Sequence, residues 1–397
     1  MNGSGPILLP RGFKFSALAA GIKASGKPDL GLILPGERTA AAALFTKNLV
    51  VAAPVEVARA SLAKSKGCVR AVIVNSGNAN CATGTAGIRT CQRVCSTAAG
   101  ILATAASTIF PCSTGIIGVP LPSEKINSHL SKLVQSAETS GDHLLEFADA
   151  ILTTDTHPKL ASVQFRGKEV TLTGIAKGSG MIHPQLATML VFLCADVVAT
   201  PSELRRSLIR ACSDSFNVIS IDGDTSTNDT VLLMASGQSG IRMYSIQKEF
   251  DRALVQVCRS LAEQIVADGE GVQHLIRLHI QQARSRGEAL QVARTISHSA
   301  LVKTAWAGAD PNWGRILAAI GRSGISVNPK QVSISIGSQT VCRRGVGCEF
   351  DEMRAHQDLS QPECKVTVRL MRGRAAVEFL TCDLTTEYVR INADYST

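Results

Sequence analysis

The chain has 397 residues, 45% of them hydrophobic and 18% charged, a globular composition with enough apolar material for the cores of two or three domains. The net charge of +9 comes from scattered residues, the densest groups being Arg343-Arg344 and Arg369, Arg372 and Arg374. With only three Tyr and two Trp for base stacking, nucleic acid is not an expected partner. The longest apolar segment, residues 189–198, is broken by Asp196 and too short for a bilayer, and the twelve cysteines lack the paired spacing of zinc sites.

In chain order, the stretch to about residue 46 reads as short strands with turns at Gly21, 26–28 and 35–36. A first helix is expected over residues 51–63. The apolar, β-branched run 69–74 predicts a buried strand that leads directly into the polar loop 75–80. A helix over 84–103 follows, then a loop holding Ser113-Thr114-Gly115, then a helix capped by Ser123 and running to residue 134. Segments 163–165 and 170–172 form a hairpin about Gly167-Lys168. A Gly-rich loop precedes a strand over 188–196, a helix opens at Pro201-Ser202, and Asp222-Gly223-Asp224 is a loop. A long amphipathic helix spans 245–268 and stops at Gly269. Beyond it come a strand at 276–280, a helix over 289–305, and short strands and turns from residue 332. A domain boundary fits residues 282–288, which are polar and break the pattern. The mixture implies an α/β fold of layered sheets and helices. Cys68, Cys194 and Cys258 lie among apolar residues and read as small core hydrophobes. No secretory signal is visible in the first thirty residues, and a reducing cytoplasm is expected.

The most informative segment runs from Lys177 through Gly178-Ser179-Gly180 to Ala187-Thr188-Met189. Taken alone, it is a turn before a strand. A phosphate loop is ruled out, because the Gly-Lys-Ser/Thr ending and the following helix are missing. The alternative is an N-terminal-nucleophile site. A threonine hydroxyl needs a base, and a free α-amine with a pKa of about 8 can serve. An internal Thr188 gains that amine only if the chain is cut before it, and the small Ala187 leaves room for the hydroxyl to attack its carbonyl.

The run KGSGMIHPQLATMLVFLCADV resembles the signature of the ornithine acetyltransferase family, also called glutamate N-acetyltransferase, of arginine biosynthesis. GFKFSALAAGIK, NSGNAN, CSTGIIG, ILTTDT, DGEG, GADPNWGRI and YVRINADYST resemble family landmarks in family order, across essentially the whole chain. The resemblance implies a layered αββα-type sandwich with a smaller C-terminal α/β domain. An alpha chain would cover residues 1–187 and a beta chain 188–397, with 188–283 completing the core and about 284–397 forming the smaller domain.

It implies Thr188 as nucleophile after cleavage at Ala187–Thr188, and Thr114 and Gly115 as the oxyanion hole. Lys177, Glu270, Asn392 and Thr397 would contact the substrate, as would one of Thr153 and Thr154, with Thr154 favoured. Asn75-Ser76-Gly77-Asn78 either lines the cleft or is a structural turn. Without the resemblance, Ser113-Thr114-Gly115 is a turn, Lys177 an exposed loop lysine, Glu270 a solvated acid at a helix end, and Asn392 and Thr397 part of a frayed tail. His183 receives no catalytic role.

The implied reaction moves acetyl from N2-acetylornithine to glutamate through an acetyl-Thr188 ester. No metal or organic cofactor is implied, and acetyl-CoA remains open as a second donor. Two copies of each fragment are implied in a heterotetramer, with small amino acids as substrates and neither nucleic acid nor membrane as partner. The rival readings are a related self-processing hydrolase or aminopeptidase, a specialised-metabolism acyltransferase, and a basic nucleic-acid-binding protein.

Overall fold

The computed structural model describes residues 7–167, 169–183 and 189–394. Two β-sheets lie face to face between helices. The first holds β1 (Phe13–Leu18), β2 (Leu30–Pro35), β4 (Ala71–Asn78) and β5 (Ile109–Ile116), in the order β1-β2-β4-β5. The second holds β3 (Ala40–Phe45), β6 (Lys159–Phe165), β7 (Val170–Lys177), β8 (Leu190–Ala195) and β9 (Thr230–Ala235), in the order β3-β9-β8-β7-β6. The expected hairpin is present as the antiparallel pair β6–β7.

Alternation along each strand builds the layers. On β8, Leu190, Phe192 and Cys194 join Phe13, Phe15, Val72, Val74 and Phe110 in the core between the sheets. Val191, Leu193 and Ala195 face outward, under helices α5 (Pro201–Ser213) and α6 (Gln247–Ala267). On β4, Ala71 and Ile73 meet α2 (Gly84–Ile101) and α3 (Ser123–Gln135) on the far side of the first sheet. Strands covered on both faces carry continuous apolar runs, as the sequence does there. α1 (Ala53–Lys64) packs on β5, and α4 (Gly141–Ala150) packs on β1 and β2. The Phe147 ring on α4 meets Phe192 edge-on, at a centroid distance of 5.6 Å. The order helix–sheet–sheet–helix is the expected sandwich.

A six-stranded sheet follows: β10 (Leu275–Ala283), β11 (Ser333–Ile336), β12 (Gln339–Arg343), β13 (Val346–Gly347), β14 (Glu363–Arg369) and β15 (Ala375–Cys382). Its order is β13-β12-β11-β14-β10-β15. One face packs on α7 (Arg286–Ser297), α8 (Ala300–Ala307) and α9 (Trp313–Gly321). α10 (Glu352–Leu359) lies beside β11 and β14, and α11 (Thr386–Asp394) ends the described chain.

Several expectations change. β10 pairs with both β14 and β15, so this sheet begins upstream of the expected 282–288 boundary. Residues 75–78 and 113–115 continue strands β4 and β5 instead of forming loops, because the two strands run parallel and stay paired there, with a register shift at Gly77/Asn78. Their polar side chains are buried but satisfied: Ser113 Oγ donates to Asn75 Oδ1 at 2.6 Å, and Asn75 Nδ2 donates to the Asn78 carbonyl at 2.8 Å. The helix expected over 289–305 divides at His298-Ser299. There His298 Nε2 sits 3.1 Å from Ser220 Oγ and 3.2 Å from His183 Nδ1. Pro122, not Ser123, is the cap position of α3, and no side chain caps it. Among the described residues no helix is long and apolar enough to cross a membrane.

Candidate active site

The Gly-rich segment from Gly178 is a loop as expected, but Lys177 before it is a strand end. Lys177 closes β7 and is buried, not exposed. Its Nζ donates to Thr153 Oγ1 at 2.8 Å and Thr114 Oγ1 at 3.2 Å, and lies 3.7 Å from Asp155 Oδ2. Asp155 also accepts from Lys159 Nζ at 2.7 Å, the Gly178 N–H at 2.6 Å and the Thr153 N–H at 3.1 Å. Lys159 bridges onward to Asp268, so two ammonium and two carboxylate groups form a buried chain. Buried charges persist only when paired in this way. Burial lowers the Lys177 pKa, with Asp155 pulling the other way. For Asp155, burial pushes up, but the Lys177 and Lys159 charges outweigh it and hold the carboxyl well below the usual range.

Lys177 thus joins Thr114 to Thr153. It donates to the Thr114 oxygen and leaves that hydroxyl's own proton free to be given elsewhere. Next to Thr114, Gly115 has φ +128°, and a Cβ there would lie 2.4 Å from the Gly77 carbonyl carbon and 2.6 Å from the Asn78 nitrogen. Only glycine fits, because backbone cannot yield as a side-chain tip can. Gly115→Ala is expected to cost about 2 kcal/mol or more from strain and overpacking. A thermal melt against the unaltered chain checks this; an unchanged midpoint contradicts it.

A second arm comes from the end of α6 and the C-terminal tail. The Glu270 N–H donates to the Ser179 carbonyl at 2.9 Å, and Asn392 on α11 donates through Nδ2 to Glu270 Oε2 at 2.8 Å. α11 is therefore folded back onto Glu270, and Asn392 is held there. A Cβ on Gly180 would sit 2.7 Å from the Glu270 carboxylate, so the glycine is what lets the acid approach. Thr154 Oγ1 pairs with Ser179 Oγ at 2.8 Å, while Thr153 is the threonine on Lys177. Asp222 accepts the N–H groups of Met181 and Ile182, and burial pushes its carboxyl up to about 6.

Ala187 and Thr188 lie outside the described residues, as does Thr397. The chain is held on either side of the expected cut. The Ile182 carbonyl accepts from Ser220 Oγ and the Ile221 N–H, and the Met189 N–H donates to Asp229 Oδ1 at 3.0 Å. Thr114, Lys177, Met189, Asn228 and Asp229 line one small cavity. A wider surface cleft lined by Asp310, Trp313, Phe350 and His356 contains none of the expected site residues. Among the described residues no three His, Cys, Asp or Glu side chains could together hold a metal ion. Cys194 and Cys258 are core residues as expected, whereas Cys68 is only half-buried.

Sequence reasoning missed Asp155, Lys159 and Asp268, and also Asp222, Asn228 and Asp229. The Asp155/Lys159 spacing is present within ILTTDTHPK, but nothing local marks the two as a buried ion pair. Asp229 was marked only by being an acid immediately before an apolar strand.

The ArgJ family model matches residues 14–397. The chain belongs to the ArgJ family. Among curated members of this family, an arginine biosynthesis bifunctional protein ArgJ of Thermus thermophilus is 44% identical over 393 residues, covering 98% of this chain and 100% of that protein. A glutamate N-acetyltransferase of Methanopyrus kandleri is 42% identical over 393 residues, covering 98% and 99%. The crystal structure of arginine biosynthesis bifunctional protein ArgJ of Bacillus halodurans superposes with a TM-score of 0.50 at 40% identity, covering 51% of this chain and 98% of that one.

Proposed function

We propose that this protein is an arginine-biosynthesis acetyltransferase that moves acetyl from N2-acetylornithine to glutamate, on Thr188 freed by self-cleavage at Ala187–Thr188. Membership of a family whose relatives are named for arginine biosynthesis and glutamate N-acetyl transfer supports the reaction. The observation that carries the site is the convergence of Thr114, Glu270 and Asn392, from three distant segments, upon the Lys177–Ser179 stretch that leads to Thr188.

In this reading, the Thr188 α-amine takes the hydroxyl proton as Oγ bonds to the acetyl carbon. The Thr114 hydroxyl and the Gly115 N–H hold the oxyanion, the C–N bond breaks, and ornithine leaves with a proton on its nitrogen. Glutamate's amine then takes the acetyl from the ester, and Thr188 regains its proton. Glu270 suits a substrate cation, and Asn392, Thr397 and the Thr153–Thr154 pair suit its α-amino and carboxylate groups. No metal or organic cofactor takes part in these steps.

Cleavage would not release the fragments. In the order β3-β9-β8-β7-β6, β8 and β9 belong to the C-terminal piece and the other three to the N-terminal piece. Separation would break both the β3–β9 and β7–β8 ladders. The solved Bacillus halodurans chain, almost wholly matched by about half of this one, has the length such a fragment would have. Two such pairs would make a heterotetramer. Twelve cysteines, none in a disulfide, support a reducing cytoplasmic setting.

The test is direct. Denaturing electrophoresis of purified protein should give two bands of similar size, and N-terminal sequencing of the C-terminal fragment should begin Thr-Met-Leu-Val. A single uncut chain with full activity would end the proposal. Glutamate with acetyl-CoA, and no acetylornithine, reports whether the second donor is used, as the relatives' name "bifunctional" suggests.

A further inference from the structure

Asp229 immediately precedes β9 and is 1% exposed. One carboxyl oxygen, Oδ1, accepts the Met189 N–H at 3.0 Å. The other, Oδ2, is buried and has no hydrogen-bond partner among the described residues. The side chain lines the same small cavity as Thr114 and Lys177. Its backbone is fixed from both sides. The Thr46 N–H donates to the Asp229 carbonyl at 3.0 Å, and Asn228 Nδ2 donates to the carbonyls of Ala79 at 2.7 Å and Ser113 at 2.9 Å. An idle carboxyl oxygen held this rigidly inside a reactive cavity calls for a chemical role.

The charged group facing it is Lys177, from β7. Thr46, after β3, and Ser226, before β9, face it with neutral hydroxyls. Burial pushes the Asp229 carboxyl well above the usual range, against the Met189 N–H, those hydroxyls and the Lys177 charge. Burial therefore favours the protonated form of this carboxyl. Oδ1 is occupied as an acceptor, so Oδ2 is the oxygen open to carry a proton. The Met189 nitrogen is three covalent bonds from the Thr188 nitrogen, which is the leaving atom when the Ala187–Thr188 bond is cut.

We propose that Asp229 is the general acid of self-cleavage, delivering a proton from Oδ2 to the Thr188 nitrogen as its bond to the Ala187 carbonyl breaks. This rests on the self-cleavage reading above. Thr188 Oγ bonds to the Ala187 carbonyl carbon, and the nitrogen leaves with the proton from Asp229. The proton lost by the hydroxyl returns to Asp229, leaving an ester and a free amine. Water then adds to the ester carbonyl, the C–O bond to Thr188 breaks, and the hydroxyl regains a proton. Asp229 ends as it began.

The experiment follows the cutting of Asp229→Asn, Asp229→Glu and Thr188→Ala chains over time on denaturing gels, with a thermal melt of each. Asparagine keeps an acceptor for the Met189 N–H and an N–H at the Oδ2 position, but it cannot release a proton. Asp229→Asn is expected to melt as the unaltered protein does and to be cut about 10²-fold more slowly or worse. Asp229→Glu retains the acid, is expected to be cut slowly, and should lose rate as pH rises. Cutting of Asp229→Asn at the normal rate overturns the inference, and so does a rate for Asp229→Glu that rises with pH. If Asp229→Asn fails to fold, the pH dependence of Asp229→Glu decides. Cutting of Thr188→Ala would instead overturn the self-cleavage reading itself, so the two failures are distinct.

Discussion

Thr188→Ala is expected to remain one uncut polypeptide and to lose acetyl transfer by on the order of 10⁴- to 10⁶-fold, the scale seen when a catalytic nucleophile is deleted. The effect is this large because one substitution removes two functions. The hydroxyl proposed to cut the chain is gone, so no α-amine would be freed, and the hydroxyl that would carry acetyl is gone as well. Thr188→Ser restores a hydroxyl and should be cut, with transfer partly recovered. Intact mass spectrometry reads the first function, and an acetylornithine-plus-glutamate assay reads the second. Full transfer by an uncut Thr188→Ala chain would remove Thr188 from both roles.

The next largest effect is expected at Asp155. Asp155→Asn leaves Lys159 with Asp268 alone, and leaves Lys177 with only the hydroxyls of Thr114 and Thr153. Removing one member of a buried ion pair costs about 3–5 kcal/mol, because the remaining charge is neither hydrated nor balanced. Lys177, whose pKa burial already lowers, then loses the charge that holds its proton, so substrate binding should weaken together with stability.

The pH dependence has a definite sign. Asp155 is held below the ordinary carboxylate value of about 3.9, so its contribution is present above that pH and is lost as pH falls below it. Melting temperature against pH should drop steeply below about pH 4 in the unaltered protein and less steeply in Asp155→Asn. An unchanged melting temperature at neutral pH would contradict the buried-network account.

Both predictions concern one sheet. β7 ends at Lys177 and β8 begins at Leu190, and the strands are paired from Leu172↔Ala195 to Lys177↔Leu190. The segment proposed to be cut therefore links two neighbouring strands whose register is already fixed. Such a link can break without loss of the core, because the ladder and the packing on either side hold the ends in place.

What the sequence determined by itself was whatever local pattern reports. The apolar run at 69–74 meant a strand covered on both faces, and the 3.6-residue period over 245–268 meant a long helix with one buried side. The ordered motifs, read together, pointed to the family and to Thr188. Tertiary structure decided the rest. Ser113-Thr114-Gly115 looks like a turn because small polar residues favour turns. It is a strand because β4 lies parallel to it and supplies partners for its backbone and for Ser113. Lys177 looks like a solvated loop lysine, and is buried because Asp155, more than twenty residues upstream in the chain, is folded against it. Thr153 and Thr154 are alike in sequence, and only the fold sends one to Lys177 and the other to Ser179. Periodicity is a property of the backbone and is written along the chain. The state of a buried charge depends on groups brought to it across the core, and no local stretch of sequence records them.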